Sequence, residues 1–543
     1  MFKKINMVNN KQWNILLDGR NLSSIEIFYA VLKNRGITDV EEFLHPSDRF
    51  LIPYEQLCNI KKAKDIILNT ISNNGKFLIY GDVDTDGCTA TAIMYRYLKH
   101  YTDKIDLFIN KGKTHGVDDS LYLPTFLSGI DTLIVLDSLN NDNPQIYDQI
   151  LSCGINLIIL DHHVPTEYIL KNNEKYCLVS SAINYSNPAL SGAGVTWKVV
   201  SYIDKCTNKN YADELIDLAA TGIVGDVCDV GKSSMENRYI CYRAFKQMFN
   251  PGIKEIIGKY AFNSTAIAFS IAPLVNSANR FDKNYEAIEL FTSDDADKLR
   301  NIIEDFRQCK EYQKERTDEL YNKVLINQIE NQKDKKCIYC MINSDKNLSG
   351  LLATKVSSEF CRPAMVLSLS EDKQFYSGSM RAVGIDDFRK IINDSGNAIC
   401  SGHEKSAGVT IPANKFFDVY DFIENALQSV EFVQKIDVDV RLSVPQISSY
   451  LVNNFKEVNN VSGNGFPPIL VAVEDVDDYD VTQLSRGKHL CIKSDDVSFI
   501  KWNFTDWDDI KPSGKFSAVG TLEESYFGKK VTQQLIINDF NFT

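Results

Sequence analysis

The stretch FLIYGDVDTDGCTATAIMYRYLKHY (77–101) passes from an unbroken apolar run, through aspartates at alternate positions, into a helical pattern. FLIY (77–80) shows no polar–apolar alternation, as a strand buried on both faces of a parallel sheet requires. CTATAIMYRYLKHY (88–101) instead sets its apolar residues at helical spacing. The same strand pattern returns in TLIVL (132–136) and INLIIL (155–160). Strand–helix–strand alternation up to about residue 290 implies a doubly wound α/β domain.

Each of these runs ends in acid or histidine: the first in Gly81-Asp82-Val83-Asp84-Thr85-Asp86-Gly87, the second at Asp137, the third at Asp161-His162-His163. Ligands of open α/β sheets bind beyond the carboxyl ends of the strands, so these side chains are expected to converge on one crevice. Carboxylates crowded together without local Lys or Arg repel one another unless cations neutralise them. Mixed carboxylate and imidazole donors favour Mn²⁺ or a similar divalent ion, whereas structural zinc prefers thiolates. AATGIVGDVCD (219–229), read as turning at Gly225 after a helix, offers Asp226 as a further ligand. D-x-D-x-D-G also opens a calcium loop, but that loop needs glutamate at its twelfth position. Counting from Asp82, that position is Ile93, inside the apolar helix. Two divalent ions about 3.5–4 Å apart clamp the attacking and leaving oxygens of a phosphoryl displacement. The inventory therefore suits hydrolysis of a phosphate ester or anhydride without a covalent protein intermediate. The sequence has no serine elbow and no Walker phosphate loop.

Outward from this region, 543 residues are too many for one core, and three or four units are expected. With 44% hydrophobic and 24% charged residues, the composition excludes disorder, collagen and coiled coil for the whole chain. MFKKINMVNNKQWNILL has no apolar run long enough for a signal peptide, and no later run approaches the ~20 residues of a membrane span. The odd count of thirteen cysteines, mostly in apolar runs, reads as buried thiols of a cytoplasmic protein. The net charge of −13 does not exclude a nucleic-acid partner, because local grooves and metal ions decide binding. Much of the acidity sits in VEDVDDYD (473–480) and DWDD (506–509), read as a solvated face.

No proline occurs between Pro273 and Pro363. Within that gap residues 292–330 read as a long helix capped by Thr292 and Ser293. Leu299, Ile302, Ile303 and Phe306 form one apolar stripe, and Leu320, Tyr321, Val324 and Leu325 another, around a polar centre from Lys310 to Thr317. Such a helix connects two domains. KCIYCMIN (336–343), PAMVLSLS (363–370) and DVYDFIENALQSV (418–430) suggest a second, smaller α/β unit. From about residue 431, alternating runs such as HLCIKS (489–494), AVGTLEES (518–525) and QLIIND (534–539) suggest an all-β barrel or sandwich. Cys337 and Cys340 are read as buried strand residues and Trp197 as core. For Trp502, Phe504 and Trp507, core packing is preferred over stacking on single-stranded bases.

Asp-His-His after a strand, with Asp-x-Asp-x-Asp-Gly upstream, resembles the DHH phosphoesterase family. The order of elements is similar to that of its RecJ branch, single-strand-specific 5′→3′ DNA exonucleases. KNRGITDVEEFLHPSDRF (33–50) resembles the N-terminal segment of that branch, and residues 80–94, 132–139, 157–165 and 222–229 its four motifs. Ser401-Gly402-His403 with Ala407-Gly408 resembles the signature of the DHH-associated domain, and VGTLEESYFGKKVTQQLIINDF (519–540) the oligonucleotide-binding (OB) barrel. The resemblance implies a parallel-sheet α/β catalytic domain with its N-terminal segment (1–290) and a connecting helix (291–330). A smaller α/β DHH-associated substrate-binding domain (331–430) and an OB-type barrel that binds nucleic acid (431–543) would follow.

The same resemblance implies roles. Asp84 and Asp86 would each hold one of two Mn²⁺ or Mg²⁺ ions, Asp137 would bridge them, Asp82 would complete the first site, and His162 with Asp226 the second. His163 would contact the scissile phosphate and Asp161 would orient the histidines. His403, within its signature beside Gly402, would bind phosphate from a facing domain across a cleft. Ser379 and Arg381 would bind the 5′-terminal phosphate, and Asn276 and Arg280 the DNA backbone. Ser138-Leu139, Leu274 and Ser401 depart from the family pattern, as does NKGKTHG (110–116), where Lys111 or Lys113 would replace an arginine's phosphate contact. The implied activity is hydrolysis of single-stranded DNA from the 5′ end to 5′-mononucleotides, in recombination and repair, by a monomer with no membrane association. A single-strand-binding protein and a RecQ-type helicase are the implied partners. The rival readings are a DHH phosphodiesterase of short oligoribonucleotides or cyclic dinucleotides, and an inactive replication scaffold. The residues beyond 431 argue against the first, and the full ligand set against the second.

Overall fold

A computed structural model describes residues 11–110, 116–118, 121–166, 173–504, 507, 510, 514–527 and 530–542. They form two compact units, one of residues 15–307 with 438–543, the other of residues 308–437 with the described N-terminal residues up to 14. Among the described residues no helix is long and apolar enough to cross a membrane.

After the short strand β1 (Lys11–Ile15), the first unit builds a five-stranded sheet from β2 (Phe77–Gly81), β3 (Ile105–Ile109), β4 (Thr132–Leu136), β5 (Asn156–Asp161) and β6 (Tyr176–Ser180). The order is β3-β2-β4-β5-β6 and every pairing is parallel. Successive side chains point to opposite faces, and both faces are covered. Phe77, Ile79, Ile134, Leu136, Ile158 and Leu160 pack with residues of helices Thr85–Lys99, Gly192–Thr207 and Ile216–Gly225. Leu78, Tyr80, Leu133, Val135, Leu157 and Ile159 pack with Leu123, Ile146, Tyr147 and Ile150. This double burial is why the strands read as continuous apolar runs. AATGIVG is itself the end of helix Ile216–Gly225, which stops at the expected turn at Gly225, and Trp197 is core.

Helix Asn284–Thr292 ends where the connector was expected to begin. The next helix starts at Ala296, with Asp295 Oδ1 accepting from the N–H groups of Asp297 and Lys298 at 3.0 and 3.1 Å. The helix continues to Leu320 and then through Tyr321–Leu325 and Ile326–Ile329. Leu299, Ile302, Ile303 and Phe306 are buried in the first unit's core, and Leu320, Tyr321, Leu325 and Ile329 in the second's.

The second unit carries β7 (Ile338–Met341), β8 (Ala364–Leu369), β9 (Phe375–Arg381), β10 (Ile399–His403) and β11 (Ser406–Pro412), ordered β10-β11-β9-β8-β7. β7 and β8 are parallel; the rest are antiparallel. Helix Ser349–Phe360 supplies core residues on one face, and helices Phe388–Asp394 and Phe416–Ala426 on the other. Cys337 and Cys340 are fully buried and belong to opposite cores. β12 (Gln434–Val438) pairs with β1.

Returning to the first unit, β13 (Val440–Leu442), β14 (Val471–Val476), β15 (Asp480–Leu484), β16 (His489–Ser494), β17 (Val497–Lys501), β18 (Phe516–Phe527) and β19 (Lys530–Phe542) form one sheet. Its order is β13-β14-β18-β19-β17-β16-β15. No pairing among the described residues joins β15 back to β13, and the sheet is consistent with the expected OB-type fold. The sheet's core is completed from the other end of the chain. Helix Ser24–Asn34, started by a capping box of Ser23 and Glu26, buries Ile27, Phe28, Val31 and Leu32 in one cluster with Leu451, Phe455, Val471, Phe499 and Leu535. Arg35 is paired with Asp439 at 2.6 Å. Buried Arg238 donates to the carbonyls of Phe43 (2.6 Å), Val461 (2.8 Å) and Val230 (3.3 Å), its guanidinium 3.5 Å from the centre of the Phe43 ring. Phe504 is buried and Trp507 packs against the same core, but Trp502 is 49% exposed.

Candidate metal centre

The parallel register aligns Gly81, Leu136 and Leu160 across three neighbouring strands. The next residue of each is therefore Asp82, Asp137 or Asp161, in one row along the carboxyl edge. The N–H of Asp82 bonds to Leu136 O and that of Asp137 to Leu160 O, so the row is fixed by sheet hydrogen bonds. Asp137 leaves its strand with φ at 53°, a left-handed conformation that is uncommon outside glycine.

Asp84 caps helix Thr85–Lys99, accepting from Gly87 N–H at 2.9 Å. In the first turn of that helix, buried Asp86 accepts from Gly192 N–H (2.7 Å) and Ala193 N–H (3.0 Å) at the start of helix Gly192–Thr207. These approaches need glycine. A Cβ on Gly222 would lie 2.2 Å from Asp86 Oδ1, and one on Gly192 would lie 2.7 Å from Asp137 Cβ.

Three donor triads result, each with its ligand atoms within 4.8 Å of one another: Asp82 with Asp84 and Asp137, Asp137 with His162 and His163, and His162 with Asp226 and Cys228. Asp137 belongs to two of them. Nε2 of His162 lies 3.2 Å from Asp137 Oδ1 and 3.6 Å from Asp226 Oδ2. Asp161 Oδ1 accepts from the backbone N–H groups of His162 (2.7 Å) and His163 (2.8 Å) and faces His163 Nδ1 at 2.7 Å. Asp86 is in none of the triads.

The electrostatics follow the burial. Desolvation and the charges of Asp86 and Asp84 push Asp137 well above the usual carboxylate range; desolvation with Asp82 and Asp86 does the same to Asp84. Burial raises Asp86 to about 6, against the lowering influence of His162. Burial opposes the charge of Asp161, but the His163 ring and the backbone donors more than offset it and hold the carboxyl at about 2. Burial likewise opposes protonation of His163, and Asp161 more than offsets it, raising the imidazole to about 9.

Divalent ions fit this set. Asp137 is only 2% exposed and its Oδ1 has no hydrogen-bond partner, an arrangement that is costly unless a cation supplies the missing interaction. Oxygen and imidazole donors are those of Mn²⁺ or Mg²⁺ sites. One consequence concerns pH. An acid whose folded pKa is raised holds its proton as pH climbs past its unfolded value, and a metal ion must displace that proton. Mn²⁺ should therefore raise the melting temperature more at pH 8 than at pH 5.5. Equal shifts at the two pH values, measured by calorimetry, would count against ligation by these carboxyls.

Asn276 and Arg280 lie at the end of helix Ala272–Asn279, close to the aspartate loop. Thr85 Oγ1 donates to Asn276 Oδ1 at 3.2 Å, and Arg280 Nη1 donates to Asn276 O at 2.9 Å. Lys111 and Lys113 lie outside the described residues.

In the second unit β11 pairs with both β9 and β10, so Arg381, Ser406 and His403 form one row and Ser379, Gly408 and Ser401 the next. Directly paired and alternate residues share a face, and these six share one, opposite the core residues Met380, Ala407 and Cys400. Gly402, with φ at 129°, pairs with Ala407 on the core face. Helix Ser349–Phe360 begins at this surface without a side-chain cap. Ser349 Oγ lies 3.0 Å from Ser379 Oγ, and a Cβ on Gly350 would lie 3.0 Å from Arg381 Nη2. Burial draws Arg381 down from its ordinary value, and its guanidinium bonds to Met380 O at 2.7 Å. The helix start at Ser349, the glycines around the aspartates and Cys228 were not picked out from sequence. Ser349-Gly350 and Gly192-Ala193-Gly194, each opening a helix, were the available signals.

Residues 76–223 match the model of the DHH family, N-terminal domain, and residues 438–539 that of the RecJ OB domain. The chain is 25% identical to YorK of Bacillus subtilis (strain 168), an SPbeta prophage-derived protein named as a single-strand DNA-specific exonuclease, over 95% of this chain and 96% of the relative. It is 25% identical to the single-stranded-DNA-specific exonuclease RecJ of the same organism, over 94% of this chain and 67% of that one. The crystal structure of Thermus thermophilus RecJ in complex with Mn²⁺ superposes with a TM-score of 0.77 at 19% identity, covering 99% of this chain and 80% of that one. The chain is RecJ-like: a region matching the DHH family, N-terminal domain, is followed by one matching the RecJ OB domain.

Proposed function

We propose that this chain is a metal-dependent exodeoxyribonuclease that hydrolyses single-stranded DNA from the 5′ end, using two divalent ions and releasing 5′-mononucleotides. The observation that carries the proposal is Asp137, a buried carboxylate with an unsatisfied oxygen that stands in two donor triads at once. Asp82, Asp84 and Asp137 would hold one ion; Asp137, His162 and Asp226 would hold the other, with Asp86 close enough to act on His162 and Asp226 by charge. The ions would supply charge stabilisation and acidity to an attacking water. Asp161 orients the His163 ring and keeps it cationic, so the imidazolium can donate to a phosphate oxygen as charge develops there.

Arg381, Ser379, Ser401 and His403 would form a phosphate-binding face beside the first turn of helix Ser349–Phe360. Ser379 and Arg381 would take the 5′-terminal phosphate and Asn276 with Arg280 the strand backbone. These contacts read phosphate rather than base, as a sequence-independent nuclease requires. Residues 331–430 then serve substrate binding and residues 431–543 grip the single strand. The same reading includes a cytoplasmic monomer in recombination and repair, beside a single-strand-binding protein and a RecQ-type helicase.

The decisive assay digests 5′- and 3′-labelled single-stranded DNA with Mn²⁺, Mg²⁺ or chelator. Mononucleotides should appear from the 5′ label first and none with chelator; loss from the 3′ label first would reverse the polarity. Arg381→Ala should raise KM about tenfold for a 5′-phosphorylated strand, the order of one charge-assisted contact. It should also erase the preference over a 5′-hydroxyl strand. An unchanged preference would remove Arg381 from the 5′-phosphate site.

A further inference from the structure

Cys228 sits beside the metal centre, where the proposed reaction needs no thiol. Its Sγ lies 3.5 Å from Asp226 Oδ2, and the ligand atoms of Cys228, Asp226 and His162 lie within 4.8 Å of one another. The chain leaves helix Ile216–Gly225 through Val227, held at φ 56° and 66% exposed, and Cys228 N–H returns to Ile223 O at 3.0 Å. This left-handed turn puts Val227 in solvent and brings Asp226 and Cys228 together. A second observation marks the same spot. Asp137, buried and with Oδ1 lacking a hydrogen-bond partner, directs that atom to within 3.2 Å of His162 Nε2.

We propose that Cys228 is a sulfur donor to a divalent ion shared with His162 and Asp226, so that this position takes the thiophilic ions Zn²⁺ and Cd²⁺ ahead of Mn²⁺ or Mg²⁺. Imidazole, carboxylate and thiolate together are a zinc-type donor set, whereas oxygen donors alone suit the hard ions. The sulfur–metal bond forms as the thiol releases its proton to solvent; no electron is transferred. A thiophilic ion seated on Cys228 displaces the ion that the reaction uses, so Zn²⁺ acts as an inhibitor at this position. The inference rests on the metal centre proposed above.

Titrating the metal-free full-length protein with Cd²⁺ should produce a sulfur-to-cadmium charge-transfer band that is lost in Cys228→Ser and kept in Cys206→Ser, a control at an exposed cysteine. In the unaltered protein, Zn²⁺ but not Mg²⁺ should slow alkylation of Cys228 at least tenfold, read by peptide mass spectrometry. A band of equal size in Cys228→Ser and Cys228→Ala, or alkylation indifferent to Zn²⁺, overturns the proposal. Both readouts are independent of hydrolysis. A Cys228-dependent band in a protein without nuclease activity would sink the nuclease reading and leave the sulfur site standing.

Discussion

Replacing Asp137 by Asn should abolish hydrolysis while raising the melting temperature of the metal-free protein. Activity should fall because one carboxylate serves both triads, so losing it disrupts both ions. Losing about 4 kcal/mol of charge stabilisation corresponds to roughly a thousandfold in rate, and the expected loss is at least that. Stability should rise because Asp137 is crowded by Asp82, Asp84, Asp86 and Asp161. Its folded pKa lies above the unfolded one, so its cost grows as pH climbs above about 3.9. The gain should therefore be larger at pH 8 than at pH 5. Asn is the better probe than Ala because it tolerates the left-handed backbone at this position. Asp137→Ala should be equally inactive. Retained turnover in either variant would exclude a two-ion centre built on Asp137, and a lowered metal-free melting temperature would exclude the repulsion.

Arg238→Ala should destabilise the first unit by at least about 4 kcal/mol. Each buried carbonyl left without its donor costs about 1–3 kcal/mol, and three accept from this guanidinium. Loss of packing against Phe43 adds to this. Arg238 has no carboxylate in ion-pair range among the described residues, and burial draws it down to about 9, so it stays charged at neutral pH. Arg243→Ala, which breaks the more exposed pair with Asp213, should cost under about 1 kcal/mol. Urea unfolding of the two variants separates these cases. Similar midpoints would mean that the carbonyl contacts of Arg238 contribute nothing.

The aspartate row was legible because each strand announces itself as an apolar run and ends at its ligand, so sheet register did the rest. Local chemistry was ambiguous at Thr292, Ser293 and Asp295, all competent caps within four positions, and the structure uses Asp295. Gly222 is a helical residue whose missing Cβ admits Asp86. Such close approach leaves no periodic trace. Cys228 reaches His162 only through a left-handed valine, which no propensity favours. The partnership of helix Ser24–Asn34 with the last strands was also invisible, because periodicity reports which face is apolar and not what will cover it.

That partnership governs how the enzyme is made. Arg35 and Asp439 are 404 positions apart, so the earliest helix emerges from the ribosome long before its partners exist. A nascent or prematurely terminated chain leaves Ile27, Phe28, Val31 and Leu32 bare, a ready target for chaperones and proteases. Translation to the last strands thus becomes a condition of covering this helix's apolar face.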